Sequence, residues 1–168
     1  MILNIRDSPP PAHEGEEQAV SFSQSLDLSG IRRFGENPFP RPVQIEGALR
    51  RQHGEVTAEY TARYELTASC ARCLEQVTEK GELYFSHIIT ELLDDGAPER
   101  IPAPGGMLDL EELVGSDLLL SLGCAQLCSP GCKGLCPHCG GNRNQTECGC
   151  DLLHKQADPR FSALLDLL

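Results

Sequence analysis

Eight of the nine cysteines in this 168-residue chain stand at spacings that suit metal ligation, and six of the nine fall within residues 128–150. Cys136-Pro-His-Cys139, followed by Cys148-Gly-Cys150, gives C-x2-C and then C-x-C, four thiolates for one tetrahedral ion. A further C-x2-C pair, Cys70-Ala-Arg-Cys73, lies far upstream, and Cys128 and Cys132 at C-x3-C are spaced to complete a second site with it. The spacing alone leaves open whether Cys70 and Cys73 stand apart or meet Cys128 and Cys132. Four cysteines around one ion leave no open coordination position, so the expected role of the metal is structural. Soft sulfur ligands at these spacings favour Zn2+, as one or two ions. An iron–sulfur cluster is the rival, because it also takes four thiolates, and colour separates the two.

The local sequence prepares these sites. A metal knuckle turns within a few residues and aims backbone N–H groups at sulfur. The residue after the second cysteine takes positive φ, which glycine adopts freely, and Gly140 follows Cys139. Pro137 stiffens that turn. Asn142 and Asn144 are suited to holding turns through side-chain-to-backbone hydrogen bonds. Cys124 is the spare thiol and is expected to pack at a helix end. His138 is expected to face solvent, and His87, in an apolar run, to be a satisfied core residue. His154 follows Cys150 closely, although its blander reading as a non-ligand is preferred. His13 and His53 fall in loops.

Enzyme readings find less support. A thiol oxidoreductase places C-x2-C at a helix start after a strand. Here Cys73 leads into Leu74-Glu-Gln-Val-Thr78, which reads as strand. Gly105-Gly106 is too short for a phosphate loop, and neither H-E-x-x-H nor G-x-S-x-G occurs. No nucleophile, base and oxyanion site converge in the sequence, and the expectation is a protein that is not an enzyme.

The elements that must carry the cysteines are mostly strands. Residues 1–6 read as a short apolar strand and 8–18 as a proline-rich loop. Val20, Phe22, Leu26 and Leu28 recur at even spacing, with Gln24 breaking the row. Residues 35–42 hold three prolines and end any regular element. Val43, Ile45, Gly47 and Leu49 alternate with mostly polar neighbours. After a His53-Gly54 turn, Val56, Ala58, Tyr60, Ala62, Tyr64 and Leu66 alternate again. Residues 82–90 form a less regular strand. Three such runs joined by tight turns predict an antiparallel meander, with Cys70–Cys73 at a hairpin tip. Residues 94–107 read as a flexible connector. Asp109 caps a helix through Leu122, with Glu112 at capping-box spacing, Leu110, Leu113, Val114, Leu118 and Leu122 near one face, and Gly123 ending it. Asp158-Pro159 opens a last short helix bearing Phe161, Leu164, Leu165 and Leu168. The expected fold is α+β: an antiparallel β-sheet with one or two covering helices and a C-terminal cysteine-rich zinc module. The division is residues 1–107, a mostly antiparallel β domain with the first C-x2-C, and 108–168, the helix, module and last helix, packed as one compact unit.

Five Phe, three Tyr and no Trp leave the core to aliphatic residues, and the formal net charge is −11. Such acidity repels phosphate backbones and argues against nonspecific nucleic-acid binding. It suits a basic protein partner, or equally simple solubility. The N-terminus has no basic stretch before an apolar run, and no window reaches the roughly 18 apolar residues of a membrane span, so a cytoplasmic chain with no membrane contact is expected. Reduced thiols there favour metal over disulfides, as does the odd cysteine count.

Two blocks carry a family resemblance. Cys70-Ala-Arg-Cys73-Leu74 is the first. The second runs Leu127-Cys128-Ser-Pro-Gly-Cys132-Lys133-Gly134-Leu135-Cys136-Pro137-His-Cys139-Gly140, with Asn142-Arg-Asn144 and Cys148-Gly-Cys150. In order and separation they resemble the bacterial YceD family of large ribosomal RNA subunit accumulation proteins, over most of the chain from about residue 20. Cys124 and Gly131 depart from the family pattern, outside the proposed ligands. The resemblance implies a non-enzymatic role in accumulation or maturation of large-subunit ribosomal RNA, with a ribosomal protein or a large-subunit precursor as partner. The alternatives are a general zinc-ribbon protein-interaction module and the C-x2-C thiol oxidoreductase.

Overall fold

A computed structural model of the chain describes residues 2–7, 19–52, 55–91 and 100–152. The expected loop over 8–18, the His53-Gly54 turn, residues 94–99 of the connector, the helix from Asp158, and His13, His53 and His154 lie outside the described residues. Contacts divide the chain into two compact units. One comprises Met1–Ala68 and Val77–Cys124, the other Ser69–Gln76 and Ala125–Leu168. These limits differ from a division at 107/108, because the first cysteine pair groups with the later cysteines and residues 108–124 group with the sheet.

The first unit is built on the alternation visible in the sequence. Strands β1 (Ile2–Asn4), β2 (Ala19–Leu26), β3 (Val43–Gln52), β4 (Glu55–Ser69), β5 (Gln76–Thr90), β6 (Arg100–Pro102) and β7 (Met107–Asp109) precede helix α1 (Leu110–Ser121). Five strands form one sheet in the order β2-β3-β4-β5-β6, while β1 pairs with β7. β2 with β3, β3 with β4 and β1 with β7 are antiparallel. Val43, Ile45 and Leu49 of β3 and Val56, Ala58, Tyr60, Ala62 and Leu66 of β4 are buried, as a period of two requires of a half-covered sheet. Gly47 sits in register with both Tyr60 and Phe22. A Cβ there would stand 2.3 Å from Glu59 O, 2.6 Å from Tyr60 Cβ and 2.8 Å from Phe22 Cζ, so the glycine makes room for the neighbouring strand and the Phe22 ring.

Three expectations need correction. The strand opening at Ala19 stops at Leu26, and Leu28 is buried beyond its end. β5 begins at Gln76 rather than 82. Its inward row is Gly81, Leu83, Phe85, His87 and Ile89, and glycine and histidine in that row hide the alternation. The stretch 94–107 is not all connector, because β6 and the first residue of β7 lie within it. β6 pairs in parallel with β5, Ile89 facing Ile101, so the sheet is mixed rather than wholly antiparallel. Pro102, which has no N–H to donate, sits at the sheet edge, where that loss costs little.

Helix α1 begins where the sequence marks it. Asp109 Oδ1 accepts from the N–H groups of Glu111 (2.9 Å) and Glu112 (3.4 Å), two donors that the first turn leaves without helical partners. Leu110, Leu113, Val114 and Leu118 join the sheet residues in one core, each contributing about 1.5–3 kcal/mol by burial. It is the one α-helix among the described residues.

The same helix buries a carboxylate. Asp117 Oδ2 accepts the Tyr60 hydroxyl hydrogen bond and lies 2.7 Å from His87 Nε2. Tyr60 is fully buried and His87 half-buried, the latter stacking on Phe85 at 6.4 Å. Burial, then the Asp117 hydrogen bond and its charge, hold the Tyr60 phenol far above the ordinary tyrosine range. A raised folded value keeps the proton on the folded chain while the unfolded chain loses it near pH 10, so this contribution to stability is full below about pH 10 and declines as pH rises further. Denaturant midpoints measured at pH 9 and pH 11 are expected to fall more for the wild type than for Tyr60→Phe. Equal falls would remove Tyr60 from the alkaline dependence.

Candidate metal centres

The second unit holds all eight candidate ligands, in two groups of four. Cys70, Cys73, Cys128 and Cys132 form one group and Cys136, Cys139, Cys148 and Cys150 the other, with all sulfurs of a group within 4.8 Å of one another. The open question of the sequence is thus answered: Cys70 and Cys73 meet Cys128 and Cys132.

Each loop is closed by its own backbone. In the first, Cys70 N donates to Glu75 O (2.8 Å) and Leu74 N to Cys70 O (2.9 Å), turning the chain between β4 and β5. Ala71 N donates to Gln126 O (2.8 Å), bringing the distant segment alongside. In the second, Cys136 N donates to Gly141 O (2.8 Å) and Gly140 N to Cys136 O (2.9 Å). Gly140 takes φ +71°, as expected of the residue after a knuckle's second cysteine. The equivalent residue of the first loop is Leu74, at φ +63° and 65 % exposed. A leucine there costs roughly 1–2 kcal/mol. Leu74→Gly is expected to raise unfolding stability by up to about 1 kcal/mol, after glycine's own entropic cost. A denaturant titration checks this, and a loss of more than 1 kcal/mol would show that the side chain contributes packing.

Two sulfur separations of the first group suit a tetrahedral ion. Cys70 Sγ and Cys132 Sγ are 3.8 Å apart, and Cys73 Sγ and Cys128 Sγ 3.5 Å. A tetrahedron with metal–sulfur bonds of about 2.3 Å has edges of roughly 3.8 Å. A disulfide would need about 2.05 Å.

The electrostatics agree with the geometry. N–H groups of Cys128, Cys73 and Arg72 bring the Cys70 thiol down to about 6. Those of Cys139 and His138 do the same for Cys136, also to about 6. Cys73 is lowered by the Glu75 N–H, yet desolvation and the thiols of Cys70, Cys128 and Cys132 drive it up to about 12. Cys150 is pushed up to about 12 by Cys139, by burial and by Cys148. Each group thus pairs an easily ionised thiol with one that resists ionisation, because four thiolates so close repel one another. A divalent cation at the centre would remove that conflict and keep all four deprotonated.

The first group is the more enclosed: Cys70, Cys73 and Cys132 are buried and Cys128 is exposed. In the second Cys136 is buried, Cys139 exposed and Cys148 and Cys150 intermediate. Cys124 belongs to neither group and is exposed, which corrects the expectation that it packs at the helix end. His138 is exposed, as expected, and lends its N–H to Cys136.

Side chains that the cysteine spacing did not single out complete the surroundings. Asn144 Oδ1 accepts from Lys133 N (2.8 Å) while its Nδ2 donates to Cys132 Sγ (3.3 Å), lowering that thiol. Glu75 Oε1 accepts from Asn142 Nδ2 (3.0 Å) and Gln145 Nε2 (2.7 Å). Asn142 and Asn144 were legible as turn formers, and Asn144 N indeed donates to Asn142 Oδ1. The bond to sulfur was not.

A mostly antiparallel sheet under one helix, joined in sequence to two four-cysteine clusters that could hold metal ions, defines a class of small α+β cysteine-cluster proteins. The family model described as "Large ribosomal RNA subunit accumulation protein YceD" matches residues 58–168, and the chain belongs to that family. It is 24 % identical over 159 residues to a maize (Zea mays) "Large ribosomal RNA subunit accumulation protein YCED homolog 1, chloroplastic", covering 74 % of this chain and 54 % of that one. It is 30 % identical over 113 residues to proteins of Mycobacterium bovis and Mycobacterium tuberculosis named as uncharacterized, covering 59 % of this chain and 49 % of theirs. The chain spans about half the length of these curated relatives. No solved structure matches it. No helix among the described residues is long and apolar enough to cross a membrane.

Proposed function

We propose that the chain is a cytoplasmic, non-enzymatic ribosome-biogenesis factor that supports accumulation or maturation of large-subunit ribosomal RNA. Membership of the YceD family, over a match reaching from β4 through both cysteine groups, is the observation that carries this reading. Two Zn2+ ions hold the second unit together, one per group of four cysteines. The sulfur separations favour such closed structural sites over a redox pair, which needs one accessible thiolate.

The charge distribution supports a protein partner. The first unit carries 20 acidic and nine basic residues and the second five of each, so the whole −11 resides on the sheet-and-helix unit. A surface of that sign attracts a basic ribosomal protein, free or on a large-subunit precursor, and repels bare RNA. Deleting the gene is expected to lower the ratio of large to small subunits in sucrose gradients, and the wild-type gene to restore it. An unchanged profile would defeat the reading. Affinity capture at moderate salt is expected to recover ribosomal proteins or precursor particles, and capture of neither would remove the partner.

A further inference from the structure

The two cysteine groups follow one another directly in the sequence. Cys132 belongs to the first and Cys136 to the second, with only Lys133-Gly134-Leu135 between them. That short stretch is held from both sides. Leu135 N donates to Arg72 O of the first loop (3.0 Å), and Gly134 O accepts from Arg143 N of the second (2.9 Å). Residues 140–147 lie between two ligands of the second group, Cys139 and Cys148, yet their side chains serve the first. Asn144 donates to Cys132 Sγ, and Asn142 and Gln145 both donate to Glu75, two residues beyond Cys73.

We infer that the two centres load cooperatively, with the Asn142–Gln145 segment as the coupling element. The inference rests on the metal reading proposed above. An ion in the second group fixes both ends of residues 140–147, so the entropy of ordering that segment is lost once. The Asn144 amide then stands ready at Cys132 Sγ, and the first group binds its ion without bearing that cost. By linkage the first ion helps the second to the same degree, and couplings of this kind run from about 5-fold to 150-fold. Two tetrathiolate centres this close repel each other. Arg72, whose Nη1 donates to Cys132 O (2.9 Å), and Lys133 and Arg143, which line a cavity with Glu147 and Cys148, supply a net positive charge that offsets part of that repulsion.

The test is native mass spectrometry of the full chain, metal-free and reduced, given one equivalent of Zn2+. Independent sites, equal or unequal, leave half or more of the molecules with one ion. Coupling of about 100-fold between sites of equal intrinsic affinity leaves roughly one-tenth. A one-zinc fraction below half is expected, and half or more would overturn the inference while leaving the metal reading intact. Binding of no zinc would overturn both. The double variant Asn142→Ala/Asn144→Ala is expected to bind two ions with the one-zinc fraction raised to half or more, and a distribution like that of the wild type would remove this segment as the coupling element. Should that variant fold poorly, Cys148→Ser/Cys150→Ser gives an independent reading. Chelator competition is expected to show the first group binding zinc about 5-fold to 150-fold more weakly than in the wild type, and unchanged affinity would overturn the coupling.

Discussion

Cys136→Ser is expected to reduce bound zinc from two ions per chain to one or fewer and to open the second unit to proteolysis. Cys136 is the buried cysteine of its group, and two N–H groups bring its thiol down to about 6, so it is readily ionised. Structural zinc sites contribute apparent binding free energies of about 10–16 kcal/mol near neutral pH, and that binding energy is folding energy. The described part of the second unit has little else to condense around: its buried hydrophobic residues are all cysteines, Cys70, Cys73, Cys132 and Cys136. Limited proteolysis is expected to cut the variant within residues 125–150 at rates at least tenfold above wild type. Cys124→Ser, exposed and outside both groups, is the control and is expected to keep both ions. Full zinc content in Cys136→Ser would remove this residue from the ligand set.

The second large effect belongs to the first unit. Asp117→Leu is expected to destabilise the fold by about 2–4 kcal/mol, because it leaves the buried Tyr60 hydroxyl and the His87 ring without their shared acceptor. Asp117→Asn keeps an acceptor oxygen in place and is expected to cost less than half as much. Tyr60→Phe/Asp117→Leu removes donor and acceptor together and is expected to recover part of the loss, since the penalty lies in the orphaned group rather than in the missing bond. Denaturant midpoints of the four proteins check the order. Equal losses for Asp117→Leu and Asp117→Asn would place the penalty in packing instead.

What the sequence shows of this fold depends on whether each constraint is local. β3 and β4 are legible because their inward rows are apolar at every second residue and nothing polar interrupts them. β5 is half-hidden because Gly81 and His87 occupy its inward row, and their partners come from elsewhere. β6 leaves no local trace, since three residues paired in parallel with a strand ten or more positions away carry no turn signature. Nothing in the leucine-rich helix sequence marks Asp117 as buried. Its burial follows from Tyr60, 57 positions upstream, and His87, 30 positions upstream.

The cysteine groups were the most legible feature, because short cysteine spacings of the metal-ligand type are local and do not depend on the rest of the fold. All eight predicted ligands fall into the two groups, and the pairing of Cys70 and Cys73 with Cys128 and Cys132 was among the arrangements the spacing allowed. Leu74 was hidden for the opposite reason. Glycine announces positive φ, as Gly140 does, while a leucine in the same conformation gives no sign of it.

The central claim is that sulfur holds two closed-shell ions in the second unit. Elemental analysis of protein purified without added metal in reducing buffer tests it most directly. The account predicts about two zinc atoms per chain in a colourless protein. Protein that carries no ion, or brown protein that carries iron, would contradict it.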